Sequence, residues 1–348
     1  MATRSPYQIA RAIDLGLDSI KFSTGDSAYT KREINVPCGW FCAEQLRPLG
    51  QQRQGTANLA SGERMQIRFD GETYCFATAS RSSHGWFGPT FPSDLAAPLV
   101  CIAAAVKLMQ LPAQRIDHLV MSTPFAVNAT AIEGLKRRLL VGIEFDDTKI
   151  EIGDVHVARA PLCSLLWAEA IKRSTADWRS SRLILQVGNA GLAWFLARGL
   201  TVNASRSGFA AYEPGESVGD ALSHYLPGGG SRELNDERSN AVESELCGED
   251  HYLFFHGHAI ARDRIATHLN EKIDQSLRTM FRGLGDTADI HHVVLSGLYP
   301  KLHAARIKTM FPHLKIDRVG STSADARFAG VRGMQLVAER FRDLVFVS

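Results

Sequence analysis

The sequence predicts a two-lobed α/β protein, and three observations carry that reading. The chain has 348 residues, beyond the roughly 250–300 at which a single hydrophobic core stops growing. A strand, glycine turn and returning strand occur twice, at 11–23 and at 183–198. After each device, short apolar runs alternate with helical patterns, the order that builds sheets covered by helices.

Tyr7 to Ser23 reads as two short strands joined by a turn at Leu15-Gly16. Residues 24–62 are polar, rich in Gly, Pro and Gln, and show little periodicity. Met65 to Thr78 alternates apolar and polar residues around Asp70-Gly71, a strong hairpin signal. Leu95 to Leu111 is apolar with many alanines and predicts a buried helix; Ile116 to Met121 predicts a strand covered on both faces. Asn128 to Leu140 has the pattern of an amphipathic helix.

The pattern then starts again. Ile150 to Val157 is strand-like, Leu162 to Arg173 helical, and Leu183 to Leu196 forms two strands about Gly188-Asn189-Ala190-Gly191. Thr201 to Ala210 alternates loosely. Residues 228–250 carry seven acidic residues against two basic ones, the composition of a solvated surface insertion. A long helix is expected from Ala259 to about Phe281, then strands at His292–Leu295 and Leu314–Val319 separated by a helix, and a closing helix from about Ala326.

Hydrophobic residues make up 45% of the chain and charged residues 22%, ordinary for a globular protein. A net charge of +2 excludes an electrostatic nucleic-acid binder acting through the whole surface. No apolar run reaches the roughly 18–20 residues of a membrane helix, and Met1 to Gly16 contains no secretory apolar region. Six scattered cysteines, without a completed zinc pattern, read as reduced thiols in a cytoplasmic protein.

The residues that can carry chemistry sit at the glycine turns. In Ile13-Asp14-Leu15-Gly16, a tight turn lets backbone N–H groups approach a phosphate. Asp14, ending its strand, is placed to hold a hydrated Mg²⁺, and Lys21 on the returning strand can direct its ammonium at a phosphate. An ordinary hairpin is the competing reading of this turn alone. Gln186, Gly188, Asn189 and Gly191 mark the second turn, and Gly297 follows a buried strand at a helix start, an arrangement that can receive part of a nucleotide.

Elsewhere the bland readings hold. His251, His256 and His258 lack a Cys or carboxylate cluster to complete a metal site, Lys136-Arg137-Arg138 reads as a solvated face, and Trp86-Phe87 as local packing.

The order and spacing of the three turns resemble the actin-like ATPase superfamily, and within it the ParM/StbA group of plasmid-segregation proteins. Asp14-Leu15-Gly16 through Lys21 is similar to its first phosphate motif, 183–198 to its second, and Val293–Gly297 to its adenosine motif. Ser122-Thr123-Pro124-Phe125 resembles the group's first connecting segment, and Phe328-Ala329-Gly330-Val331-Arg332-Gly333 its closing helix. The likeness spans most of the chain, excepting 24–62 and 228–250.

There are departures. Gln186 stands where the family has a second carboxylate, Asn189 replaces a glycine, and Ala190 or Gly191 stands where a hydroxyl is expected. Ala158-Arg159-Ala160-Pro161-Leu162 lacks the family's water-orienting Glu, and the paired glycines of the adenosine motif are reduced to Gly297-Leu298. Charge neutralisation and positioning supply most phosphoryl-transfer catalysis, so the resemblance implies a weakened ATPase.

The resemblance further implies an actin-like fold. Its first lobe would span 1–160, with a small subdomain at about 35–85 and a closing helix 326–348 returning to it. Its second would span 161–325, with a subdomain at about 205–260. The implied ligands are ATP or GTP with Mg²⁺. Asp14 would hold the metal-bound water, Lys21 and the amides of Leu15, Gly16 and Gly188 the phosphates, and Gly297 would border the nucleoside. The implied activity is a head-to-tail filament acting in plasmid segregation through a DNA-bound adaptor, without direct nucleic-acid or membrane contact. A non-hydrolysing scaffold module and a small-molecule kinase are the alternatives; the second needs a general-base Asp, and none is assigned.

Overall fold

A computed structural model describes residues 8–16, 19–29, 34–41, 64–77, 95–109, 111–123, 129–172, 180–188, 191–212, 243–247, 251–255, 258–320 and 323–344. The chain packs as two units, one of residues 1–79, 85–163 and 331–348, the other mainly of residues 164–330.

In the first unit, strands β1 (Ala10–Leu15), β2 (Ile20–Ser23), β5 (Cys38–Phe41), β8 (Arg115–Ser122), β9 (Ile143–Phe145) and β10 (Thr148–Ala158) form one sheet in the order β5-β2-β1-β8-β10-β9. The central strands β1, β8 and β10 run parallel, with Asp14 beside Ser122 and Ser122 beside Ala158. Two short strands, β3 (Ala28–Tyr29) and β4 (Ile34–Asn35), occupy the stretch that lacked periodicity, and β5 pairs with β2 at the sheet edge.

Helix α1 (Ala96–Leu108) is buried without a break from Pro98 to Val106, as befits a helix that is apolar all round. It shares a core with Ile13, Leu15, Leu119 and Met121 from the sheet and with Ile67 and Phe76 from a hairpin. That hairpin is β6 (Arg64–Phe69) and β7 (Glu72–Ala77). Its turn residues Asp70 and Gly71 have φ of 50° and 80°, the double left-handed geometry that makes Asp-Gly the favoured two-residue turn. Helix α2 (Ala129–Leu140) buries only Leu135 and Leu139. Its basic run faces outward, with Lys136 paired to Glu133 and Arg137 and Arg138 exposed.

The second unit holds the sheet β13-β12-β11-β16-β17, formed by β11 (Ser181–Val187), β12 (Gly191–Arg198), β13 (Thr201–Ala211), β16 (His292–Gly297) and β17 (Lys315–Arg318). Helix α3 (Ala160–Lys172) leads into it. Helix α4 (Arg262–Leu284) presents Ile265, Leu269, Ile273, Leu277, Met280 and Leu284 to its core, a stripe at helical spacing. The Trp194 indole lies where a Cβ on Gly208 or Gly283 would stand, at 2.4 and 2.8 Å from its ring.

Two expectations are corrected here. The helix expected from Ala259 begins at Arg262, because His258–Ala261 form strand β15 against β14 (Tyr252–Phe255). The acidic stretch is also not wholly solvated. Glu243 is 1% exposed, and its carboxylate accepts from the N–H groups of Lys301 and Leu302 at 2.6 and 3.2 Å. It thereby caps helix α5 (Pro300–Met310), whose own N-cap side chain makes no cap bond.

His303 in α5 is fully buried, and its Nδ1 donates to the Tyr299 carbonyl at 2.9 Å. Burial pushes its pKa down from 6.5 to about 4, against the raising influence of that bond. The neutral ring is thus the folded form, and an unfolded chain takes the proton first as pH falls. The stability this holds is complete above the unfolded value and drains as pH drops from 6.5 toward 4. The expected loss is about 2 kcal/mol between pH 7 and pH 5. Unfolding free energies from denaturant melts at pH 7 and pH 5 should fall by this much more for wild type than for His303→Leu; equal falls would assign the pH dependence to other groups. The Tyr299 carbonyl stays satisfied in the variant, because it also accepts from the His303 backbone.

Closing helix α6 (Ser323–Leu344) passes from the second unit into the first at Val331. Among the described residues, no helix is long and apolar enough to cross a membrane.

Candidate functional site

The first hairpin places its chemistry by register. Asp14 pairs with Lys21 across β1 and β2, and with Ser122 across β1 and β8, so all three side chains share one face of the sheet. All are buried, at 4%, 9% and 1% exposure. One carboxylate oxygen of Asp14 accepts from the Ser122 hydroxyl at 2.5 Å, and the other lies 3.4 Å from the Lys21 ammonium. A charge buried to this degree requires such partners. Leu15 points to the opposite face and is core, leaving only its backbone for a ligand. The Gly16 N–H donates to the Ser19 carbonyl at 3.1 Å, closing the turn. Pro124 and Phe125 lie outside the described residues.

Polar contacts hold this hairpin to α6. The Ser23 hydroxyl accepts from the Ala12 N–H and donates to Gln335, whose amide donates to the Ala10 carbonyl and to Glu339. Glu339 in turn accepts from the Ser27 N–H. Cys163 is buried on the same unit, and burial, together with the negative charge of Asp14, pushes its thiol up to about 12. It therefore stays protonated and unreactive. Cys38, Cys101 and Cys247 are likewise free.

In the second unit, β11, β12 and β16 gather Gln186, Gly188, Gly191 and Gly297. Gln186 is half-buried and in register with Ala193 and Ser296. The Gly188 N–H donates to the Gly191 carbonyl at 2.8 Å, which closes that turn. Asn189 and Ala190, at its tip, lie outside the described residues. Gly191 is required by β13, since a Cβ would stand 2.3 Å from the Ala210 carbonyl oxygen. Gly297 has φ +94°, and a Cβ there would stand 2.0 Å from the Val187 oxygen. That oxygen also accepts from the Leu298 N–H, locking the second turn to the end of β16. Packing alone thus accounts for both glycines.

As a donor set, the first unit fits a phosphate ligand with a hard cation: one carboxylate and one hydroxyl at the carboxyl ends of parallel strands, with one ammonium on the antiparallel strand beside them. The Gln186 position offers an amide oxygen but no negative charge. Ser122 is the site residue that the sequence pattern hides, since there it resembles only part of a connecting segment. Its contact with Asp14 depends on the parallel alignment of β1 and β8, which only the general preference for adjacent parallel strands could have signalled.

No protein-family model matches the chain, and no curated protein matches it. Solved structures do. The psk41 ParM protein in its apo form aligns over 97% of this chain and 99% of its own, with 12% identity and a TM-score of 0.59. The archaeal actin homolog Ta0583 in complex with ADP aligns over 96% and 100%, with 14% identity and a TM-score of 0.62. The AlfA filament from a B. subtilis plasmid aligns over 94% and 97%, with 12% identity and a TM-score of 0.52. The chain therefore has an actin-like fold. Its structural neighbours include ParM-type and Alp-type proteins as well as archaeal actin homologs.

Proposed function

We propose that this chain is a nucleotide-binding, filament-forming actin-like protein of plasmid segregation, with a weakened ATPase. The observation that carries the reading is the buried Asp14–Ser122–Lys21 cluster on one face of the first hairpin. An added phosphate would draw the Lys21 ammonium toward itself, leaving Asp14 to hold the waters of Mg²⁺. The cation, when bound, supplies charge neutralisation for the phosphates. Ser122 fixes the carboxylate's orientation. In the second unit, Gln186 orients a water without adding charge, and slow turnover follows from this loss. Glycine turns in each unit contribute to nucleotide binding, with Gly297 beside the nucleoside.

Filament formation rests on fold likeness to proteins solved as filaments, AlfA and Alp12. Assembly is head-to-tail and open, since a heterologous contact that does not close generates a fibre. With a net charge of +2, DNA is engaged through an adaptor in the cytoplasm rather than directly. Gln186 also favours a second reading, a module that binds nucleotide without turning it over.

The test is ATP and GTP binding, phosphate release and pelleting on purified protein, alongside Asp14→Asn and Gln186→Asp. The expected result is Mg²⁺-dependent binding weakened by Asp14→Asn, slow release accelerated by Gln186→Asp, and nucleotide-dependent pelleting. Brisk release from wild type, unchanged in Gln186→Asp, would refute the weakened site. Binding without turnover or pelleting establishes the module instead.

A further inference from the structure

We propose that His118, Asp154 and His156 form a binding site for a divalent transition-metal ion of the zinc class, separate from the Asp14 cluster. Each offers one ligand atom, and the three atoms lie within 4.8 Å of one another. The strands dictate this. Asp154 and His156 are two apart on β10 and so share a face, and Asp154 is the direct cross-strand partner of His118 on β8. Sites built on paired strands are held more rigidly than sites on loops.

Two imidazoles and one carboxylate are the donors that zinc-class ions favour, whereas Mg²⁺ and Ca²⁺ take oxygen. A tetrahedral ion with bonds of about 2.0–2.2 Å spaces its ligands by about 3.4 Å, so modest rotation of the Asp154 and His118 side chains would close the widest gap and open the narrowest. The His156 Nε2 atom lies 2.7 Å from an Asp154 carboxylate oxygen. It is shielded from solvent yet makes no hydrogen bond: the two groups face each other without the alignment a shared proton needs. An ion between them would use both lone pairs. The His156 ring is fixed by stacking on Phe341 of α6, with centroids 3.9 Å apart and planes 13° from parallel. His118 is buried, with Gln8 3.4 Å from its Nε2. Asp154 and His156 are partly exposed, leaving the fourth position to water.

The ion would tie β8 and β10 to the last turns of α6 through the stacked ring. The test is calorimetric titration of the metal-free full chain with zinc chloride near neutral pH, with melting curves at matched zinc. Wild type is expected to bind one zinc saturably and to melt at a higher temperature. His156→Phe keeps the stack on Phe341 but removes the ligand, and Asp154→Asn changes only charge. Each should weaken binding at least about 100-fold and abolish the zinc-dependent rise in melting temperature. Absence of saturable binding to wild type, or binding unchanged in both variants, would overturn the site and leave an Asp–His ion pair alone.

Discussion

Replacing Gly333 by alanine is expected to destabilise the protein by about 3 kcal/mol, the upper end for overpacking a well-filled interior. The sign is the point of interest. Gly333 sits inside helix α6, where glycine to alanine normally stabilises by roughly 0.5–1 kcal/mol. A Cβ at this position, however, would stand 1.8 Å from the Cys163 carbonyl oxygen and 2.5 Å from its carbon. Both atoms are backbone, so neither can swing aside, and α6 must part from α3. Gly134 in α2 provides the contrast. Its Cβ would meet only the Leu95 Cδ1 at 3.2 Å, a side-chain tip that can move. Chemical denaturation of the two variants should therefore give opposite signs. A Gly333→Ala protein as stable as wild type would show that the close approach of α3 and α6 is dispensable.

Asp14→Ala is expected to cost about 3–5 kcal/mol, the loss typical when one member of a buried ion pair is removed. The cause is the ammonium left behind. Lys21 has a side chain only 11% exposed, with Asp14 as its ion-pair partner. Adding Lys21→Met to Asp14→Ala should recover much of the loss, because the orphaned charge is then gone. A double-mutant cycle reads this as strong coupling between the two positions. Additive effects would mean that Lys21 reaches water or another acceptor without Asp14. Because Asp14→Ala compromises folding, the isosteric Asp14→Asn is the better probe of the proposed nucleotide contact.

What was readable in the sequence is what depends on near neighbours. The Asp70-Gly71 turn followed from two residues that tolerate positive φ, and the buried helix at 96–108 from its unbroken apolar character. The pairing of Asp14 with Lys21 was implicit in a hairpin turning at Gly16. Strand β15 was not readable: Ala259, Ile260 and Ala261 suit a helix, and only their pairing with Tyr252, Leu253 and Phe254 makes them a strand. Glu243 escaped for a similar reason, since the helix it caps begins 58 residues further on. Asp154 and His156 did not stand out in the sequence, because alternate polar residues on one strand carry no metal signal until the parallel register of β8 brings His118 beside them. Trp86, Phe87 and His256 fall outside the described residues.

The polar contacts between α6 and the first hairpin also bear on how the chain is made. Gln335 bonds to the Ala10 carbonyl across 325 residues of sequence, and Ser23 to Gln335 across 312. Contacts so distant form late, because their loop entropy must be met before they contribute. On a ribosome, β1 and β2 emerge well before their supporting helix, whose contacts with them span 312 and 325 residues. Residues 164–330, by contrast, form a contiguous stretch that can fold as soon as it leaves the exit tunnel. The unit bearing Asp14 thus begins before residues 164–330 and is completed after them.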